Sequence, residues 1–203
     1  DGVPVKPLPI NNQEIGVDVG LEKYLMLSNG ERVENPRFFA KAQEKLAERQ
    51  QRMARRVKRS NRRRKARLLV ARAHEKVRDQ RNDFQFKLAN RLVRQFGKIY
   101  VEKLSWWTSW RGINRSMNDA AWMGFFEKLR FKAAEAGREV IEVPAKHTTQ
   151  RCSSCGALVK KKLSERVHRC ECGCVLDRDL NAALNILAAG QAAHRAVPLA
   201  LPA

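Results

Sequence analysis

The chain has 203 residues, 43% of them hydrophobic, which is enough for one packed domain of moderate size with a small insert. Its 41 Lys and Arg against 21 Asp and Glu leave a net charge of +20, far more than solubility needs, and so point to a polyanionic partner, nucleic acid first. No apolar run approaches the ~18 residues of a spanning helix, so a membrane partner is not expected, and the Pro-rich start lacks the apolar centre of an export signal, which suits a cytoplasmic protein.

Residues 1–14, with three prolines, read as a linker. Ile15 to Gly20 reads as a short buried strand containing Asp18, Tyr24 to Leu27 as a second, and Ser28-Asn29-Gly30 as a tight turn into a third. From Pro36 the period becomes helical. Phe39, Ala42, Leu46, Met53 and Val57, then Leu69, Ala73, Val77, Phe84 and Leu88, predict two long antiparallel helices over about 36–57 and 62–96. Between Lys41 and Arg67 stand 13 basic residues and two acids. A stretch so one-signed repels itself unless phosphate neutralises it, and Arg52, Arg55, Arg56, Arg59, Arg62, Arg63 and Arg64 are its candidate nucleic-acid contacts. Such contacts would grip the backbone without reading bases.

Gly97 ends the helix, and Lys98 to Glu102 reads as a strand closing on an acid. Trp106, Trp107 and Trp110 follow, ahead of Arg111 and Arg115. They could stack on bases of a single strand, but packing of their loop on the core is the preferred reading. Asp119 is a candidate N-cap for a helix over about 119–136, with Trp122, Phe125, Phe126, Leu129 and Ala133 apolar. Glu139 to Val143 reads as a strand, 147–176 as a Cys-rich insert, about 179–189 as a last helix, and 191–203 as a tail. The alternation suits an α/β fold, a mixed sheet flanked by helices.

Three places hold acids in a context suited to metal-dependent phosphodiester hydrolysis, which needs carboxylates converging on two Mg²⁺ ions ~4 Å apart. Asp18 lies inside an apolar strand between glycines, where a lone charge is costly. Glu102 ends a strand, and Asp177 and Asp179 stand at the mouth of the last helix, where either could instead be only its N-cap. Five cysteines, an odd number, all fall between Cys152 and Cys174, and the chain shows no export signal, so they suit a metal site better than disulfides. Cys152-Ser153-Ser154-Cys155-Gly156 is a metal knuckle, and Cys170-Glu171-Cys172-Gly173-Cys174 follows it. Cys172 precedes a glycine as Cys155 does, which favours Cys152, Cys155, Cys170 and Cys172 around one structural Zn²⁺, with Cys174 in reserve. His168 is a weaker candidate ligand, and His74, His147 and His194 read as ordinary polar residues.

Several blocks taken together resemble the TnpB (OrfB) proteins of insertion sequences, RNA-guided nucleases related to the type V CRISPR effectors. They are Ile15 to Gly20 with Ser28-Asn29-Gly30, Glu34-Asn35-Pro36-Arg37, Arg81 to Phe84, Val101-Glu102-Lys103-Leu104, Thr149 to Gly156, and Asp177-Arg178-Asp179-Leu180-Asn181-Ala182-Ala183-Leu184-Asn185-Ile186. The resemblance covers about residues 15–187, and the last two blocks are its most specific part. It implies an RNase H-like (RuvC-like) nuclease domain over 15–146 and 177–190, with the helical hairpin, about 36–96, inserted in it and a zinc ribbon that binds target nucleic acid at 147–176. It places the catalytic, Mg²⁺-binding acids on Asp18, Glu102 and Asp179, with Asp177 in reserve, and implies DNA and a guide RNA as partners in a prokaryotic cytoplasm. The family's N-terminal β-barrel part has no counterpart before Asp18, so the catalytic portion is what is expected here. A cleavage-inactive RNA-guided repressor would be expected to have lost one or more of the acids. A general RNA-binding zinc-ribbon protein would explain the charge and the cysteines but not the acids.

Overall fold

The first apolar runs fold into an antiparallel meander. β1 (Glu14–Val19) pairs with β2 (Lys23–Leu27), and β2 with β3 (Arg32–Glu34). The turn into β3 depends on Gly30, whose φ of +89° lies in the left-handed region that side chains disfavour. The computed structural model describes residues 7–103, 111–144, 147–162 and 164–196. β4 (Lys98–Glu102) and β5 (Glu139–Val143) add in parallel, giving a five-stranded mixed sheet in the order β3-β2-β1-β4-β5. β1, β2, β4 and β5 lie within a residue of their expected runs, and β3 follows the expected turn.

Between β3 and β4 stands the helical hairpin, α1 (Phe38–Ala54) packed on α2 (Asn61–Gln95). Ser60 caps α2, its hydroxyl accepting the Arg63 amide at 3.2 Å. The start of α1 has no side-chain cap from its own flank, because Arg37 is left-handed there and offers no acceptor. Asp119 supplies one from a distance: its carboxylate accepts the amides of Phe39 at 2.9 Å and Ala40 at 3.2 Å and pairs with Arg81 at 3.3 Å. Asp119 is therefore not the N-cap of the helix that follows it. The chain forms α3 (Arg111–Ala120) and α4 (Trp122–Ala136), broken at Ala121 with φ +50°. The carboxylate meets the positive end of α1 instead. Trp106, Trp107 and Trp110 lie outside the described residues.

One face of the sheet is covered by α2 and α4, where Leu88, Leu92, Phe125 and Leu129 pack with Ile15, Val17, Leu25 and Ile99. The other carries α5 (Arg178–Ala196), whose Ile186 packs with Tyr100 and Val143. Strand side chains alternate, so Gly16 faces α5 while Ile15 and Val17 face the opposite core. A Cβ on Gly16 would lie 2.2 Å from the Ala183 carbonyl oxygen and 2.7 Å from the Leu187 nitrogen, so α5 rests on bare strand backbone. Gly190 plays the same part for the Tyr100 ring, which a Cβ would meet at 2.0 Å. Gly190 therefore lies inside α5, which runs past the expected end near residue 189 to Ala196.

Residues of the expected linker are tied down where they are described. The Leu8 amide donates to the Ala136 carbonyl at 3.2 Å, the Gly97 amide to Gln13 at 2.8 Å, and the Arg138 guanidinium to Pro9 at 2.8 Å. The Cys-rich segment forms a two-stranded sheet of β6 (Val167–Arg169) and β7 (Val175–Asp177), plus a bridge between Arg151 and Leu158. No described helix is long and apolar enough to cross a membrane.

Candidate active site

Strand register brings two of the acids together. β1 and β4 pair Gly16 with Tyr100 and Val17 with Val101, so Asp18 and Glu102 come next on neighbouring parallel strands, on the α5 face. Asp179 enters from the first turn of α5. Its Oδ2 lies beside Gly20, 4.0 Å from where a Cβ there would stand. Asp18 is only 6% exposed. Burial, then the charges of Glu102 and Asp179, push its carboxyl well above the usual range, against a smaller pull from Arg178 and the Val19 amide. Burial also raises Glu102, opposed by the hydroxyl of Thr148, which donates to Oε1 at 3.0 Å. The carboxylates act on one another's charge, yet they do not collapse into one cluster. Among the described residues only groups containing cysteine bring three ligand atoms within 4.8 Å of one another. Repelling carboxylates with hard oxygen donors, one of them buried, fit divalent ions of the Mg²⁺ class.

Asp177 has a different place. Its Oδ1 accepts the amides of Asp179 at 2.9 Å and Leu180 at 3.3 Å, capping α5, and its Oδ2 pairs with Lys23 at 2.8 Å and Arg32 at 3.6 Å. Burial works to raise Asp177, but Lys23 and the two amides outweigh it and hold the carboxyl below its ordinary value. Spacing left Asp177 and Asp179 as alternatives; in the structure Asp177 caps α5, while Asp179 pairs with Arg178 at 3.3 Å and lies near enough to Asp18 to act on its charge.

The sulfurs of Cys152, Cys155, Cys170 and Cys172 all lie within 4.8 Å of one another. Cys152 approaches Cys172 at 3.7 Å, and Cys155 approaches Cys170 at 3.6 Å. Backbone amides of Cys155 and Ser154 lower the Cys152 thiol to about 5, with His168 and Cys155 side chains adding to the effect against burial. Cys172 is pushed up to about 12: the Cys174 amide pulls it down, but the sulfurs of Cys155, Cys170 and Cys152, together with burial, prevail. Four crowded sulfurs that resist joint ionisation fit a thiophilic cation, which would remove the repulsion. Cys174 joins a second group with Cys152 and buried His168, also within 4.8 Å. The four-cysteine group supplies the full tetrahedral set without it.

Three polar residues outside the expected site join the knuckle to α5 and the cleft: Thr148, Asn181 and Asn185. Asn181 donates to the Arg151 carbonyl at 2.7 Å and accepts the Ser153 amide at 3.0 Å. Asn185 donates to the carbonyls of Thr148 at 2.8 Å and Arg151 at 2.7 Å. Two asparagines four apart on one helical face, beside the acids, were the available signal.

On the hairpin, Arg52, Arg55, Arg56, Arg59, Arg62 and Arg64 are exposed. Lys45, Arg49, Arg52, Arg56, Arg62 and Lys65 line a groove of about 740 Å³ between the helices, its charge partly offset by Glu48, which pairs with Arg52 at 2.6 Å. Arg63 differs from its neighbours. Its guanidinium donates to the carbonyls of Met53 at 3.0 Å and Arg56 at 3.2 Å, satisfying the end of α1.

Comparison with known proteins gives the family and the fold. Residues 3–106 match the model of the OrfB_IS605 family, described as a probable transposase, and residues 122–186 match the Cas12f1-like TNB domain. A putative RNA-guided DNA endonuclease of Streptomyces pristinaespiralis is 37% identical over 193 residues, covering 93% of this chain and 48% of that protein. The putative RNA-guided DNA endonuclease InsQ of Escherichia coli (strain K12) is 32% identical over 197 residues, covering 88% of this chain and 49% of its own. The chain thus spans about half the length of the curated relatives it matches. Among solved structures, a Cas12f1 chain from a complex with sgRNA and target DNA superposes with a TM-score of 0.59 at 21% identity, over 85% of this chain and 49% of that one, and so shares the fold. By the family model that matches residues 3–106, the chain belongs to the OrfB (TnpB) family of insertion-sequence proteins.

Proposed function

We propose that this chain is the catalytic portion of an RNA-guided, metal-dependent DNA endonuclease. The observation that carries the reading is the placing of Asp18 and Glu102 side by side on β1 and β4 with Asp179 near enough to act on buried Asp18, whose carboxyl is raised first by burial and then by the charges of the other two. The sheet order β3-β2-β1-β4-β5 supports an RNase H-like (RuvC-like) domain formed by 15–146 and 177–190, with 147–176 as a zinc ribbon. The names of the relatives, RNA-guided DNA endonucleases, support a DNA target and a guide RNA as partners.

Asp18, Glu102 and Asp179 would hold two Mg²⁺ ions in the cleft. Ions held there would supply the Lewis acidity that phosphodiester hydrolysis by water needs. Asp18 would present its carboxylate from β1, Glu102 from the end of the neighbouring β4, and Asp179 from the first turn of α5. Asp177 holds the helix that carries Asp179, through the two amides it accepts. Cys152, Cys155, Cys170 and Cys172 would hold one structural Zn²⁺, which leaves no open position for chemistry. The exposed hairpin arginines neutralise backbone phosphate.

The test is Mg²⁺-dependent cleavage of DNA complementary to a supplied guide RNA. Asp18→Ala or Asp179→Ala should abolish cleavage and leave nucleic-acid binding nearly intact. Retained cutting in either variant would overturn the assignment.

A further inference from the structure

The cysteine knuckle and the carboxylate cleft are joined by one continuous set of hydrogen bonds. It begins at Glu102, whose Oε1 accepts the Thr148 hydroxyl at 3.0 Å. The carbonyl of the same Thr148 accepts the Asn185 side-chain amide at 2.8 Å, and that amide also reaches the Arg151 carbonyl at 2.7 Å. Asn181, one turn earlier on α5, donates to Arg151 as well and accepts the amide of Ser153, which stands inside the Cys152–Cys155 loop. Thr148, Asn181 and Asn185 are 7%, 0% and 9% exposed, so water does not compete for these bonds. Asp179 lies on the same helix two residues before Asn181. The first turn of α5 therefore carries an acid, and Asn181 and Asn185, four apart on a different face of the same helix, hold the knuckle.

We propose that Thr148 is a positioning residue for Glu102, and that Asn181 and Asn185 carry to it the order imposed on the knuckle by a cysteine-bound metal ion, so that loading the cysteines tightens divalent-ion binding at the carboxylates. The inference rests on the reading of Asp18, Glu102 and Asp179 as ion ligands. Its physical basis is orientation. Glu102 is the last residue of its strand, and a carboxylate there keeps rotamer freedom that an ion must remove on binding. The Thr148 hydroxyl removes that freedom beforehand, as outer partners of metal ligands do. A cation shared by the four sulfurs would hold Arg151 and Ser153 more firmly in the positions that Asn181 and Asn185 grip, and Asn185 would in turn hold Thr148 more firmly against Glu102. Because such coupling is reciprocal, ions at the carboxylates also tighten the cysteine site.

Full-length protein is titrated with Mn²⁺, followed by electron paramagnetic resonance of the free ion, while Co²⁺ at the cysteines is followed by its thiolate charge-transfer absorption. Thr148→Val should weaken Mn²⁺ binding by about 10–100-fold, the usual effect of removing an outer partner, and Thr148→Ser should restore it. The Cys155→Ser/Cys170→Ser double variant should weaken it by a similar factor, and adding Thr148→Val to it should cost little more, because both changes break one connected set of hydrogen bonds. Mn²⁺ binding unchanged in Thr148→Val or in the double-cysteine variant, with Asp18→Ala abolishing it, would overturn the coupling and leave the ligand assignment standing. If Asp18→Ala binds Mn²⁺ as the parent does, the ligand assignment itself fails. Should Thr148→Val also lose the Co²⁺ spectrum, Thr148→Ser decides: weak Mn²⁺ binding beside a normal Co²⁺ spectrum refutes the role of the hydroxyl.

Discussion

Replacing Asp18 by Asn keeps the shape of the side chain and removes one charge from the cleft. Without divalent ions, Asp18 binds its proton more tightly in the folded protein than in the unfolded chain, because burial and the charges of Glu102 and Asp179 oppose ionisation. From the ordinary value of 3.8 up to the raised folded value, the native state holds more protons than the unfolded one. Stability therefore falls as pH climbs through that window and stays low above it. Glu102, also raised, adds a loss of the same sign. Each unit of difference is worth about 1.4 kcal/mol. Asn does not titrate, so Asp18→Asn should be more stable than the parent at about pH 8 without Mg²⁺, by about 0.5–2 kcal/mol, the range stored at functional sites. For a chain of this length, a gain of 1 kcal/mol raises Tm by about 2–4 °C. Melting followed by circular dichroism from pH 4 to 8, with and without Mg²⁺, checks this. The advantage of Asn should shrink toward pH 4, where Asp18 is itself neutral, and Mg²⁺ should stabilise the parent more than the variant. If the variant melts below the parent without Mg²⁺ at pH 8, or its advantage is the same at every pH, Asp18 is not a repelled charge and the argument fails.

Four further outcomes are expected. Asp177→Ala should cost about 1–2 kcal/mol through loss of the cap of α5, read by denaturant melting, and leave Mn²⁺ binding far less impaired than Asp179→Ala does. Cys174→Ser should keep one bound Zn²⁺ per chain by elemental analysis, whereas Cys170→Ser or Cys172→Ser should lose it. Alanine at Arg55, Arg59 or Arg64 should flatten the salt dependence of duplex binding by about 0.9 in log–log slope for each phosphate no longer neutralised, while Arg63→Ala should instead lower stability by about 1 kcal/mol, since its guanidinium closes the end of α1. Gly16→Ala should destabilise by about 3 kcal/mol or more in thermal melts, because its Cβ would meet backbone atoms of α5 that cannot turn aside.

The strands and the hairpin were legible because each is a local pattern: short apolar runs between turn residues, and a long 3.6-residue period. The cysteine site was legible because ligand spacing is itself local. What escaped was set by contacts distant in sequence. Asp119 has the composition and position of a cap, and it is one, but for a helix whose start lies some eighty residues earlier. No local rule names that partner. Gly190 looked like a helix end because glycine often ends helices, whereas here the Tyr100 ring takes the space its side chain would fill. Asn181 and Asn185 look like ordinary helix residues until the knuckle comes to rest on them. The separation of Asp177 from Asp179 likewise needed Lys23 and Arg32, which β2 and β3 bring alongside.

The bare backbone of Gly16, on which α5 rests, has a consequence for how the protein is made. Synthesis delivers β1 before α5, so a chain on which α5 is not yet made carries Asp18 and then Glu102 on a sheet with that face uncovered. Asp179 arrives only with the helix that covers that face. The docking of α5 thus closes the sheet and brings the third of the proposed metal-binding acids to the other two in the same step. Contacts between distant parts of a chain form slowly, and here that delay falls on the docking of α5.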